Sequence, residues 1–465
     1  MKTHSTVFER EAPHIDIVRT ALAQSRLAPF WTNSSPHESY PALSEDLDVD
    51  LVIVGGGFTG LWTAVRAKER NPDRSVALIE SHRLGWAASG RNGGFCEASL
   101  THGRENGLAR WPREYAQLEQ MGLTNLDEIE QTITRYGMDV EFERTGAFAV
   151  AVEEHQVEWL RDDPSFLDRE AIYAEVHSPT YLGASFDAHG TAMINPTKLV
   201  NELARVAASL GVQIFEETPA LGLVGGSVVT TPHGRVTARK IALATNAFRS
   251  LLKRNALRTV PVYDYVLMTE PLTDAQLASI GWRSRAGIAD VANQFHYYRL
   301  SADNRILFGG YDAVYHFGGR VSEAHEDRSE SFERLASHFF TTFPQLAGVK
   351  FSHRWAGAID TCSRFCAFFG TARRGRVAYA LGFTGLGVAA TRFAADVMLD
   401  LLDGLNTERT RLTMVRSKPM PFPPEPLASL AINMVRRALD RADHNRGKRN
   451  LFLRTLDFFG LGFDS

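Results

Sequence analysis

One short run constrains this chain more than any other: DVDLVIVGGGFTG, residues 48–60. Residues 48–56 are a continuous β-branched run closed by glycine, the pattern of a buried parallel strand. The spacing predicts a helix over 59–70, and SVALIE at 75–80 reads as a second strand, so the segment is a β-α-β unit. Gly55, Gly57 and Gly60 fit G-x-G-x-x-G. The first permits the tight turn off the strand, the second lets the backbone approach a pyrophosphate, and the third lets helix pack on strand. The helix N-terminus then presents free N–H groups and a positive dipole end to the phosphates. Glu80 ends the next strand, where its carboxylate can accept hydrogen bonds from ribose hydroxyls and would repel a 2′-phosphate, which disfavours NADP. The competing reading is a glycine-rich turn in an unrelated α/β protein. The preceding strand, the following helix and the acidic residue all weigh against it.

The fingerprint does not choose between NAD and FAD, but the next stretch does. LGWAASGRNGGF, residues 84–95, follows Glu80 almost at once, where an NAD protein usually begins another strand-helix unit. Its four glycines, with Ser89, Arg91 and Asn92, can press backbone N–H groups against a flat polar ring and place a cation near its oxygens. An FAD site is therefore expected, and an NAD-linked dehydrogenase is the rival it disfavours.

A chain of 465 residues suits two domains rather than one small core. The formal net charge of -3 supplies no basic excess for nucleic-acid phosphates. Three cysteines, Cys96, Cys362 and Cys366, are too few for a disulfide framework, and no second Cys or His pair completes a zinc site around the last two. The first eighteen residues hold no apolar run and do not read as a secretory signal, and no stretch is apolar enough to span a bilayer. A soluble, cytoplasmic protein is the expectation.

Along the chain, periodicity predicts a helix over 15–27, then an irregular crossing marked by Pro29, Pro36 and Pro41. Helix is expected over 104–136, with strands near Val140 and over 145–152, and a helix over 194–210 opened by Asn195-Pro196. Residues 211–217 and 227–245 alternate like strands, with a turn at His233-Gly234. Residues 262–315 suggest an antiparallel sheet, 323–343 a helix, and 376–388 a strand and glycine turn leading into a helix that ends near 402. The tail, 418–465, opens on the proline-rich PMPFPPEP and continues as an amphipathic helix, which suits docking against the body or another subunit better than a membrane-surface role.

GGGFTGLWTA, GWAASGRNGG and ALGFTGLGV together resemble the glycine oxidase/sarcosine oxidase branch of the D-amino-acid oxidase superfamily, and within it the gamma-glutamylputrescine oxidase and aminophosphonate oxidoreductase types. IALATNA (241–247), ADNRILFGG (302–310) and RWAGAIDTCSR (354–364) support the resemblance in the expected order, and it covers roughly residues 30–405. It implies an α/β fold in which a Rossmann-like FAD-binding domain (1–105, 190–260 and 350–417) interleaves with an α+β substrate domain built on an antiparallel sheet (106–189 and 261–349). A helical extension, 418–465, follows. It implies that Gly55, Gly57, Phe58, Thr59 and Gly60 hold the pyrophosphate and Glu80 the ribose. Ala88, Ser89, Arg91, Asn92, Gly93 and Gly94 would line the flavin, with Ala220 at the adenine and Thr245-Asn246 closing that side. Gly382, Phe383, Thr384, Gly385, Leu386, Gly387 and Val388 would pass the pyrimidine edge, where a helix N-terminus can stabilise negative charge.

The chemistry implied is oxidation of a C–N bond in a small amine, amino acid or aminophosphonate. Hydride passes to flavin N5, the imine hydrolyses to an aldehyde or keto acid, and O2 is reduced to H2O2. Candidate substrate-site residues are His296, Tyr298, Arg305, Tyr311 and Arg364, each with a plainer reading as a structural histidine, core tyrosine or surface cation. Arginine recognises carboxylate or phosphonate bidentately, so Arg91, Arg299, Arg305 and Arg364 suggest a substrate with an anionic end. Sarcosine-oxidase-like members carry a lysine in the strand matching 306–312, and this chain has none there. A flavin dehydrogenase with a non-oxygen acceptor is thus the alternative, and a non-catalytic flavin-binding subunit is a third.

Overall fold

Two sheets organise the fold of this computed structural model, which describes residues 4–34 and 37–458. Pro36 and the last seven positions of the extension, 459–465, lie outside the described residues. The first sheet has eight strands, ordered Gly222–Val224, Val228–Thr230, Arg235–Leu243, Leu47–Val54, Val76–Ile79 and Gln213–Phe215, with Val377–Leu381 beside Arg235–Leu243 and Phe368–Ala372 beyond it. Its centre is parallel, with Val54 opposite both Ile79 and Leu243. The central strands are buried on both faces, which is why they read as unbroken apolar runs. Helices Phe58–Arg70, Pro196–Ser209 and Gly387–Asp403 pack together on one face. Arg70 ties two of them by donating to Asp396 and Asp400 at 2.7 Å each.

The second sheet has ten strands, one of which, Val314–Tyr315, pairs only with Val260–Thr269. Phe351–Thr361 and Val260–Thr269 run antiparallel along nearly their whole lengths, and Ile306–Gly310, His296–Leu300, Gly287–Asp290, Ala147–Ala151, Gly183–Asp187 and Leu167–Asp168 follow in order. It is mixed rather than purely antiparallel: Arg26–Leu27 runs parallel to Phe351–Thr361, and Gly287–Asp290 parallel to Ala147–Ala151. An aromatic layer on helix Ser329–Thr342, including Phe332 and Phe339, fills one side.

Local chemistry explains where elements differ from the sequence reading. The helix expected over 15–27 ends at Leu22, because Arg26 and Leu27 pair with His353 and Arg354. The helix expected over 104–136 is two, Arg104–Arg110 and Tyr115–Tyr136, separated at Pro112, which cannot donate to a helical ladder. No strand forms at Val140; it is buried, and its carbonyl accepts from Asn195 N at 2.9 Å. Helix Asp274–Ile280 interrupts the 262–315 strands, and the 323–343 segment splits into a short turn and Ser329–Thr342. The tail forms helix Leu427–Asp443 and a second, Leu451–Phe458, that periodicity did not separate. The first of these docks on the body through Asp443, which accepts from the backbone N–H groups of Asn293 and Gln294 at 3.1 Å each. Among the described residues no helix is long and apolar enough to cross a membrane.

Candidate active site

A cavity of about 960 Å³ runs from the C-terminal end of strand Leu47–Val54 to the face of the ten-stranded sheet. At the first end the glycines have measurable tasks. Gly55 takes φ +113°, and a Cβ there would lie 2.4 Å from the carbonyl oxygen of Ala244. A Cβ on Gly60 would sit 1.9 Å from Gly55 O, so only glycine lets the helix start so close to the strand. Glu80 is 8% exposed at the cavity wall, and its carboxylate accepts from Gly56 N at 2.6 Å and His82 N at 3.0 Å.

The 84–95 loop is held from within and behind. Asn92 donates to Ala88 O and Ser89 O at 3.1 Å each and accepts from Gly94 N at 2.9 Å. The indoles of Trp31 and Trp355 donate to the carbonyls of Asn92 and Arg91 at 2.9 and 2.8 Å. Arg91 reaches the wall with its guanidinium engaged by Glu326 at 2.5 Å and Ala356 O at 2.9 Å. Opposite, buried Asp360 accepts from Gly382 N and Phe383 N at 2.5 and 3.1 Å, which shapes the turn before helix Gly387–Asp403. Burial pushes the Asp360 carboxyl up to about 7.

These residues fit a flavin adenine dinucleotide. The glycine turn leaves a cradle, and two helix N-termini, Phe58–Arg70 and Gly387–Asp403, open on the same cavity. The Thr245 hydroxyl at the wall is buried without a hydrogen-bond partner, as expected of a group waiting for a ligand. Of the cofactor candidates, all line the cavity except Gly60, Gly94 and Gly382, whose places are behind it in the packing.

The substrate candidates fare differently. Tyr311 lines the cavity in a left-handed backbone conformation, φ +63°. The other four do not. His296 is fully buried, its ring nitrogens 2.6 Å from Asp290 Oδ2 and 2.8 Å from His338 Nδ1. Tyr298 is in the core, its hydroxyl 2.8 Å from that of Tyr181. Arg305 donates to Asp303 at 2.7 Å and lies over the Phe30 ring. Arg364 is buried and satisfies the carbonyls of Cys366, Ala367, Met414 and Ser417. Strand alternation is the reason for the first two: His296 and Tyr298 share the face packed under helix Ser329–Thr342, so the intervening Tyr297 turns to the cavity.

That other face carries a pair the sequence reading missed. Tyr297 donates to Asp264 Oδ2 at 2.5 Å, and both line the cavity. Burial raises the Asp264 carboxyl to about 6, against the hydrogen bonds that favour its ionised form. Burial and the Asp264 charge raise the Tyr297 phenol well above its usual value, so it keeps its proton and donates. The available signal was a lone acid in the apolar strand VPVYDYVLMT. The three cysteines are buried and free, and none lines the cavity.

Residues 50–401 match the family described as FAD dependent oxidoreductase (DAO). Gamma-glutamylputrescine oxidoreductase of Escherichia coli (strain K12) is 30% identical over 396 residues, covering 81% of this chain and 88% of that protein. Probable oxidoreductase OrdL of Haemophilus influenzae is 27% identical over 403 residues, covering 81% and 88%. The crystal structure of glycine oxidase from Geobacillus kaustophilus has a TM-score of 0.64 at 20% identity, covering 78% of this chain and 96% of that one, a likeness of fold. The chain belongs to the FAD dependent oxidoreductase (DAO) family. It is an enzyme, and its cofactor is FAD.

Proposed function

We propose that the protein oxidises the C–N bond of a small amine or amino acid whose other end is anionic, a carboxylate or phosphonate, with O2 as acceptor. One observation carries the reading: the nucleotide cradle and the Asp264–Tyr297 pair line the same cavity. The flavin, when bound, supplies the two-electron acceptor. An amine must be neutral when its neighbouring C–H is broken. Asp264, at about 6, is ionised at neutral pH and accepts the ammonium proton while Tyr297 holds its second oxygen in place. The apolar walls, Val262, Val266 and Ala289 among them, exclude water from that pair.

In this reading Gly55, Gly57, Phe58 and Thr59 hold the pyrophosphate, Glu80 the ribose, and the 88–94 and 382–388 segments the flavin. The domain division in this reading follows the blocks expected from sequence, with three segments exchanged: strand Phe351–Thr361, which pairs with Val260–Thr269, and helix Ile15–Leu22, which packs on Ser329–Thr342, go to the substrate side, and helix Tyr115–Tyr136, which packs on Gly387–Asp403, goes to the flavin side. Similarity to a gamma-glutamylputrescine oxidoreductase supports a nitrogen-bearing substrate.

A second reading, a dehydrogenase passing electrons to another acceptor, is favoured by one feature: no lysine is found among the residues lining the cavity. Oxygen consumption measured beside dye reduction separates the two. The substrate class is tested by steady-state kinetics on matched pairs, 2-aminoethylphosphonate against putrescine. A far higher kcat/KM for the dication than for every anionic amine refutes the proposal.

A further inference from the structure

The family match ends at residue 401, yet a helix beyond it, Leu427–Asp443, forms part of the cavity wall. Two carboxylates clamp this helix to the substrate side. Just before its start, Glu425 accepts from the Tyr315 hydroxyl at 2.5 Å and from Gly318 N at 3.1 Å. At its last residue, Asp443 accepts from Asn293 N at 3.1 Å, Asn293 Nδ2 at 2.6 Å and Gln294 N at 3.1 Å. Asn293 and Gln294 themselves line the cavity, and Gln294 Nε2 donates to the carbonyl of Tyr311 at 3.1 Å.

Between the clamps, Ile432, Val435, Arg436 and Leu439 line the cavity. Their spacing puts them on one helix face. Three are apolar and one is a guanidinium. The Arg436 Nε is buried and has no hydrogen-bond partner. The arginines singled out from sequence are all engaged: Arg91 by Glu326, Arg299 by the carbonyls of Gly94 and Ile194, Arg305 by Asp303, and Arg364 by backbone carbonyls. A buried N–H left without an acceptor is costly, and a planar anion meeting Nε and one Nη relieves it through two parallel N–H bonds.

We infer that Arg436 binds the anionic end of the substrate, so that a segment outside the family match sets this enzyme's specificity. The inference rests on the proposed anionic amine. It names the group that reads the anion, where Asp264 and Tyr297 handle the nitrogen.

The test uses flavin-loaded wild type, Arg436→Met, Arg436→Gln and Arg436→Lys. Each is assayed with glycine against methylamine and with 2-aminoethylphosphonate against propylamine, pairs that differ in the anion. The Met and Gln variants are expected to lower the ratio of kcat/KM for the anion-bearing member over its anion-free partner by about 10- to 100-fold, mainly through KM, with Lys recovering part of it. Titration of the flavin absorbance with acetate and methylphosphonate should show the same weakening without turnover. A wild type that prefers the anionic members, with a ratio unchanged within about twofold in both neutral variants, overturns the role of Arg436 and leaves the anionic reading standing. A wild type with no such preference overturns that reading and this inference together.

Discussion

Tyr297 donates its phenolic hydrogen to Asp264 across 2.5 Å in the wall of the cavity. Burial holds the acid at about 6 against its ordinary 3.8, so it ionises just below neutrality. The proposed role needs the ionised form, and kcat/KM is expected to rise with pH through about 6. Asp264→Asn should flatten that limb and lower kcat/KM by at least about 10-fold, and Tyr297→Phe should displace it. Stability moves the other way. A raised folded-state value means that the contribution of this group is fully present below 3.8 and is lost as pH rises through about 6. A pH–rate profile without a limb near 6 in the wild type contradicts the assignment.

Gly57 meets the cavity with no side chain, and a Cβ there would lie 2.9 Å from Ser89 Oγ, which accepts from Phe58 N at 3.0 Å. Gly57→Val is expected to purify colourless or poorly folded. Normal flavin absorbance per chain in that variant would sink the idea that this turn cradles the pyrophosphate.

Arg364 serves the fold rather than the substrate. Its guanidinium satisfies carbonyls from two segments, 366–367 and 414–417, and lies over the Trp111 ring. Arg364→Ala leaves buried acceptors unmet, and a loss of about 3 kcal/mol or more is expected, seen as a lower thermal midpoint. A variant with wild-type stability and an altered KM reverses this reading.

The flavin is expected to be non-covalent. Cys96, Cys362 and Cys366 are buried away from the cavity, and burial pushes the thiols of Cys96 and Cys366 up to about 12, far from the reactive thiolate. After acid precipitation the yellow colour should stay in the supernatant. Colour in the pellet refutes the prediction.

The nucleotide end of the site is legible in sequence because its demands are local. Gly60 is required by the carbonyl of Gly55 five residues away, Gly55 by its own left-handed turn at φ +113°, and Glu80 follows at the end of the next strand. The substrate end is set by tertiary contacts. Alternation places His296 and Tyr298 on one face and Tyr297 on the other, but only the packing of helix Ser329–Thr342 decides which face is core. Asp264 reads as one acid in an apolar strand until Tyr297 is beside it. Arg436 reads as one cation among several on an amphipathic helix until Glu425 and Asp443 fix that helix against the sheet.

Anaerobic mixing of the purified yellow protein with a panel of amines, amino acids and aminophosphonates, followed at the flavin absorbance band, tests the central claim most directly. Rapid bleaching by amines that carry a carboxylate or phosphonate is expected, with slow or no bleaching by putrescine. A protein that stays yellow with every member of the panel, or one bleached by putrescine alone, contradicts it.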